Sequence, residues 1–193
     1  MKDAILRKAR ESADTKLAFV EEHAEALERC VHEVAERFRT GASLWVMGNG
    51  GSACDAQHVA VEFQHPIVEK RRALPAIALT ADVALLTAVG NDADFAQVFA
   101  RQIDLLGRPE DAVLGISSSG ASANVNRALR RARERGLLTV GFAGRDGGAM
   151  ADLAEHVFVV PSWSIHRIQE THTLLLHLLW DLVHVALGAD DVL

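Results

Sequence analysis

The spacing of hydrophobic residues changes at Gly41. Residues 2–40 contain neither Gly nor Pro and are rich in Ala, Glu, Arg and Leu, which predicts helix. Within that run Val20, Ala24, Leu27, Val31, Val34 and Phe38 recur at alternating steps of four and three, a narrow apolar seam. Such a seam has to pack on something, either the rest of the chain or a neighbouring subunit. The run Ser12-Ala13-Asp14-Thr15 offers a second cap that would split the segment into two helices.

After Gly41 short β-rich runs alternate with helical ones. Strands are predicted over 43–47 (SLWVM), 74–79 (LPAIAL), 112–116 (AVLGI), 137–142 (LLTVGF) and 157–160 (VFVV). Helices are predicted over 52–64, stopped by Pro66, then over 81–89 and 94–106 with Gly90-Asn91-Asp92 as a turn between them. Two more follow over 122–135, ended by Gly136, and over 165–187, ended by Gly188. Strands separated by helices imply right-handed βαβ units and a parallel sheet covered on both faces. The expected fold class is therefore α/β: a three-layer α/β/α sandwich with a five-stranded parallel, flavodoxin-like sheet and an N-terminal helical extension. Residues 1–40 are expected to act as a helical oligomerisation segment and residues 41–193 as the functional domain. In that architecture ligands sit beyond the carboxyl ends of the strands, near the switch in strand order.

Two strand-to-helix junctions then carry the candidate chemistry. One is Gly48-Asn49-Gly50-Gly51-Ser52 and the other is Ser117-Ser118-Ser119-Gly120-Ala121-Ser122. Small residues and hydroxyls before a helix start make an anion site, because exposed amides, the positive end of the helix dipole and hydroxyl donors converge there. Phosphate is the obvious guest. The first junction also fits GxGxxA, but the acidic residue of a dinucleotide site comes some ten positions late, at Asp82. A purely structural reading, tight turns with serine caps, stands beside both. His58 and Glu62 are four apart and share one helix face. On the last helix, Gln169 and His177 are separated by about 80° around the axis, so both can address one point, and His172 lies between them. A His/Glu pair facing a Gln/His pair is a plausible four-ligand divalent metal set, although both pairs also occur as ordinary helix-surface residues.

The composition narrows the classes. Of 193 residues 49% are apolar and 24% charged, enough for a core and too ordered a pattern for a disordered chain. A formal net charge of −6 gives no footprint for a nucleic-acid backbone. No apolar run approaches the ~18 residues of a membrane span, and the charged opening Met1–Arg10 does not read as a signal peptide, so a cytoplasmic location is expected. Cys30 and Cys54 form no CxxC and are expected as buried small residues in a reducing compartment. The lysines, at 2, 8, 16 and 70, avoid the candidate loops, and no GxSxG elbow occurs, which argues against Schiff-base and acyl-transfer chemistry. Glu, His and a possible metal beside a phosphate cradle suit proton transfer next to a carbonyl.

The strings GNGGSACDAQH (48–58), GND (90–92), GISSSGASANV (115–125), GRDGG (144–148) and RIQETH (167–172) resemble those of the SIS-domain phosphoheptose isomerases, in the family's order. The resemblance implies a SIS domain over 41–193 that converts sedoheptulose 7-phosphate to D-glycero-D-manno-heptose 7-phosphate through an enediol. It also implies a homotetramer with active sites at subunit interfaces, and one zinc ion per subunit. Residue by residue, it implies substrate contacts at Asn49, Gly50, Gly51, Ser52 and Gln169. Phosphate contacts would come from Ser117, Ser118, Ser119 and Ser122. Asn91 and Asp92 would reach the sugar hydroxyls, from the same or a neighbouring subunit. His58, Glu62, Gln169 and His177 would be the zinc ligands, with Glu62 and His177 also the acid/base pair. Phe63-Gln64-His65-Pro66 stands where the family commonly has Gly-Arg, and Trp163 and His166 also depart from its pattern. Those departures bear on which sugar phosphate is used. The competing expectation is a non-catalytic SIS module that binds a phosphosugar or a protein.

Overall fold

The computed structural model of the chain describes residues 1–68 and 71–192. Lys70 therefore lies outside the described residues. The chain opens with helix α1 (Lys2–Arg39) and continues through β1 (Leu44–Gly48), α2 (Gly51–Gln64), β2 (Ala76–Ala78) and α3 (Val83–Asp92). A 3-10 turn (Phe95–Gln97) precedes α4 (Ala100–Leu106), β3 (Ala112–Ser117), α5 (Ala123–Glu134) and β4 (Leu138–Gly144). A second 3-10 turn (Gly148–Asp152) leads to β5 (His156–Val160) and α6 (Ile165–Ala186).

Three expectations about boundaries change. The helix expected over 94–106 is the 3-10 turn Phe95–Gln97 followed by the shorter α4. Helix α1 does not break at Ser12–Thr15. The Thr15 hydroxyl turns back to the Glu11 carbonyl at 2.7 Å, so it serves the same helix and starts no new one. Gly90-Asn91-Asp92 is not a turn but the last part of α3. Gly90 has an ordinary negative φ, and a Cβ there would only touch the Phe95 ring at 3.5 Å, so it costs the helix propensity without ending it. Helix α3 starts instead under Asp82, whose carboxylate accepts the Leu85 amide at 2.9 Å.

All strand pairs are parallel, in the order β2-β1-β3-β4-β5. Strands β1, β3 and β4 are buried along their whole length, as central strands of a sheet covered on both faces should be. One face packs Phe19, Val34 and Phe38 of α1, Phe63 of α2 and Leu175 and Leu179 of α6 onto Leu44, Val46 and Leu114. The other packs Val125 and Leu129 of α5 and Ile103 of α4 onto Trp45, Met47 and Val113. The second half of α1 thus belongs to the core of the α/β layer, while Ile5, Leu6 and Leu17 in its first half are exposed. The order of strands reverses direction between β1 and β3. Their carboxyl ends open the crevice where a ligand is expected, and both candidate junctions lie at its lip.

Candidate active site

The glycine junction is shaped by what it omits. Gly50 has φ 55 and caps α2, a conformation that L side chains resist. A Cβ on Gly48 would lie 2.4 Å from the Ser52 carbonyl oxygen, and one on Gly51 would lie 2.5 Å from Nε2 of Gln169. The loop is therefore cleared so that the start of α6 can reach α2. Ser52 is buried in the first turn of α2.

The serine junction is shaped by what it carries. Ser117 Oγ lies 2.9 Å from Ser122 Oγ and 3.5 Å from Ser119 Oγ, and Ser119 Oγ accepts the Ala121 amide at 3.2 Å. Ser118 and Ser119 are half-buried. Ser122 does not cap α5; the Val125 amide donates to Asn124 Oδ1 at 3.0 Å, and the amides of Ala123 and Asn124 stay available to a ligand. Gly120, at φ 62, lets the turn press against the next loop: a Cβ there would lie 1.9 Å from the Gly147 carbonyl oxygen.

A pair of amides that the motif reading did not single out ties the junctions together. Asn49 Nδ2 donates to Asn124 Oδ1 and Asn124 Nδ2 donates to Asn49 Oδ1, both at 2.8 Å. This closed pair spans the crevice between β1 and α5. It also occupies the side-chain amide of Asn49, leaving that residue's backbone to face a ligand.

Helix α2 then carries His58 and Glu62 on one face, with His58 Nε2 3.4 Å from Glu62 Oε1. The ring of His177 on α6 stands edge-on to His58, centroids 5.0 Å apart. One ligand atom from each of His58, Glu62 and His177 lies within 4.8 Å of the others. A tetrahedral zinc with ligands ~2.0–2.2 Å away holds its donors about 3.3–3.5 Å apart. The His58–Glu62 separation already matches, and side-chain rotation brings in the third, so the donor set fits a divalent ion. Gln169, two turns before His177 on α6, rests against Gly51 at the same lip. Asp55, one turn before His58, has its carboxyl pushed up by burial and pulled back only partly by His58.

The other candidates separate. His172 is fully buried and turns away from His177: its Nε2–H donates to the Ala143 carbonyl at 2.9 Å, and burial lowers its pKa to about 4. It pins α6 to β4 as a neutral ring. Asn91 and Asp92 stand exposed on the last turn of α3, with Asn91 Nδ2 donating to Asp92 Oδ1 at 2.7 Å, apart from the residues gathered above. Trp163 is 74% exposed in the loop before α6 and carries the Arg145 guanidinium 5.6 Å above its ring. Cys30 is buried, and burial raises its pKa; Cys54, expected inside, is exposed on the outward side of α2.

Comparison with known proteins decides the family. The model of the SIS domain matches residues 9–144. The phosphoheptose isomerase of Aquifex aeolicus is 47% identical over 174 residues, covering 90% of this chain and 91% of that one. That of Pelobacter propionicus is 52% identical over 157 residues, covering 81% and 83%. The chain belongs to the SIS-domain phosphoheptose isomerases. Solved members of the family superpose closely: the enzyme from Neisseria gonorrhoeae gives a TM-score of 0.88 at 36% identity, covering 94% of this chain and 97% of that one. The one from Francisella tularensis gives 0.90 at 33% identity, covering 95% and 97%. Family membership makes the chain an isomerase with the fold read above. Among the described residues no helix is long and apolar enough to cross a membrane.

Proposed function

We propose that this isomerase interconverts sedoheptulose 7-phosphate and D-glycero-D-manno-heptose 7-phosphate, with the phosphate in the serine junction and the carbonyl end of the sugar at the His58, Glu62, His177 cluster. The observation that carries the reading is that cluster: a carboxylate and two imidazoles with ligand atoms within 4.8 Å of one another, built by two helices that meet at the lip of the crevice. A module that only binds has no need of a base so placed.

The chain's own groups divide the work. Hydroxyls of Ser117, Ser119 and Ser122 and the free amides of α5 hold the phosphate, so binding energy far from the reacting carbons fixes the sugar's position. The backbone of Asn49, Gly50 and Gly51, with Ser52 and Gln169, lines the path between. Glu62 takes the proton from C1 of the ketose, and the electron pair moves to give an enediol. His177 moves a proton from the O1 hydroxyl to O2, and Glu62 returns its proton to C2, which yields the aldose. His58, Glu62, Gln169 and His177 would hold a zinc ion, which when bound would supply Lewis-acid stabilisation of negative charge on the sugar oxygen. A carboxylate has two oxygens, so Glu62 can face an ion with one and a carbon with the other.

We further propose that the exposed first half of α1 mediates assembly into a homotetramer, and that Asn91 and Asp92 contact sugar hydroxyls of a neighbouring subunit's site. Their exposure on α3, remote from their own chain's cluster, supports that role.

Glu62→Gln tests the central claim. The amide cannot accept the proton, so turnover of sedoheptulose 7-phosphate should fall about 10²–10⁴-fold, while the substrate still raises the unfolding temperature. Turnover at the wild-type rate would remove Glu62 from its role.

A further inference from the structure

A cavity of about 330 Å³ lies at the opposite edge of the sheet from the crevice. It is lined by Arg39, Arg71, Arg72 and His184 and by the turn that ends α6. Arg39 precedes β1, and Arg71 and Arg72 precede β2, so the pocket sits at the amino ends of the strands.

Arg71 is the telling residue. Its side chain is 2% exposed, with the guanidinium 4.8 Å over the Trp180 ring. Nη2 lies 2.5 Å from Asp181 Oδ1, close but poorly aligned for a hydrogen bond, and donates to the Asp190 carbonyl at 3.2 Å. Nε and Nη1 are buried with no hydrogen-bond partner among the described residues. A buried guanidinium with idle donors is costly, and an acceptor is what it lacks.

The described residues do not supply that acceptor nearby. The carbonyl of Ala186 is taken by Arg39, that of Val185 by the Gly188 amide, and that of His184 by the Leu187 and Ala189 amides. The Arg72 carbonyl lies 3.1 Å from His184 Nε2. Among the described residues three guanidinia line the cavity beside the half-buried carboxylate of Asp181, with Glu36 paired to Arg39 and Asp190 and Asp191 exposed outside it. The cavity's lining holds three guanidinia and no carboxylate, which favours a multiply charged oxyanion over a neutral sugar, and the volume is at the small end of ligand pockets (~300–1,000 Å³).

We propose that this pocket is a second anion site, which binds a phosphate group, either free or as the monoester of a small metabolite. The site is separate from the crevice, and its existence does not depend on the reaction proposed above. Of the two helices that carry the catalytic cluster it touches α6. His184 lies two turns beyond His177 on α6, its Nδ1 bonded to the Trp180 carbonyl at 2.8 Å, and Arg71 follows the loop that leaves α2. An anion drawn onto Arg71 and Arg72 would hold that segment against the end of α6.

The test follows thermal unfolding of the full chain against inorganic phosphate and against glycerol phosphate, at ionic strength held constant with chloride. The serine junction also binds phosphate, so Ser119→Ala is the background. There, phosphate should still raise the unfolding temperature. In Ser119→Ala/Arg72→Gln the concentration for half the effect should rise about tenfold. Arg72 is exposed, so that substitution spares the core; Arg39→Gln should act in the same direction. Arg72→Gln alone should leave isomerase turnover in phosphate-free buffer unchanged. Half-effect at a lower concentration of the ester assigns a metabolite, and the reverse assigns the free ion. Crystals soaked in tungstate should show a peak between Arg71 and Arg72. An equal rise with chloride alone, an unchanged response in the arginine variants, or tungstate at the serine junction only would overturn the proposal.

Discussion

The glycine junction and the serine junction sit on neighbouring strands, precede helices of similar length and consist of the same class of small residues. The structure uses them in opposite ways. At 48–52 the missing side chains leave room for other parts of the chain: the Ser52 carbonyl comes against Gly48, and Gln169 comes against Gly51. At 117–122 the side chains stay and bond to one another, while a single glycine, Gly120, takes the backbone conformation that folds the turn onto Gly147. One junction receives a helix; the other presents donors. Small residues before a helix therefore signal either space or hydrogen bonds, and only the neighbours decide which.

Gly120→Ala should have the largest effect. Its φ is +62, and the new methyl would lie 1.9 Å from the backbone oxygen of Gly147, which cannot step aside as a side-chain tip can. Left-handed strain alone costs ~1–3 kcal/mol and the clash adds to it, so a urea titration should show a loss of at least ~3 kcal/mol. A loss under ~1 kcal/mol would mean that the serine junction is loose, and the contrast with its neighbour would fail.

Acid should produce the next largest effect, through the pin that holds α6 in reach of both junctions. His172 titrates near 4 in the folded chain, against an ordinary value of 6.5. Above pH ~6.5 the ring is neutral folded or unfolded and imposes no penalty. Below it the unfolded chain takes up a proton that the folded chain refuses, so stability falls with pH, by about 3 kcal/mol on reaching pH 4. His172→Asn should flatten that part of the profile between pH 6.5 and 4. An unchanged slope would show that other groups govern the acid limb.

Ser119→Ala should act on the ligand and spare the fold. Ser119 is half-buried, and its hydroxyl accepts one loop amide at 3.2 Å, so the loss in stability should stay within ~1 kcal/mol. A hydrogen bond to a charged phosphate contributes ~1.5–3 kcal/mol, which predicts a KM for the sugar phosphate at least about tenfold higher. An unaltered KM would take this hydroxyl out of the cradle.

Much of this was legible in the sequence, and the failures are specific. The five strands and their parallel pairing followed from short apolar runs between helices, because β1, β3 and β4 are buried on both faces and so show no alternation to confuse the reading. The His58–Glu62 pair followed from helical spacing, which acts within one element. Spacing did not separate His177 from His172. Five positions turn a side chain about 140° around the axis, and the side facing β4 became known only with the packing of α6. The Asn49–Asn124 pair joins residues 75 apart, and no local pattern encodes a contact across a crevice. Gly90 misled because glycine ends a helix only where φ must be positive, a property of the local packing and not of the residue.

Gly51→Ala is the counterpart to Gly120→Ala and should have the smallest effect on the fold. Both glycines leave too little room for a methyl, yet the obstacles differ. At Gly51 the nearest atom, at 2.5 Å, is Nε2 of Gln169, the far end of a flexible side chain, and the backbone φ is not positive. Inside a helix alanine also gains up to ~1 kcal/mol over glycine. Stability in urea should therefore stay within ~1 kcal/mol of wild type. The cost should appear in catalysis instead, since Gln169 must swing away from the lip where it is proposed to meet the substrate: kcat should fall about tenfold or more. If turnover survives with Gln169 displaced, the glycine junction is a packing device alone. If the fold collapses as it does for Gly120→Ala, the two junctions are rigid in the same way, and the distinction between space and donors does not hold here.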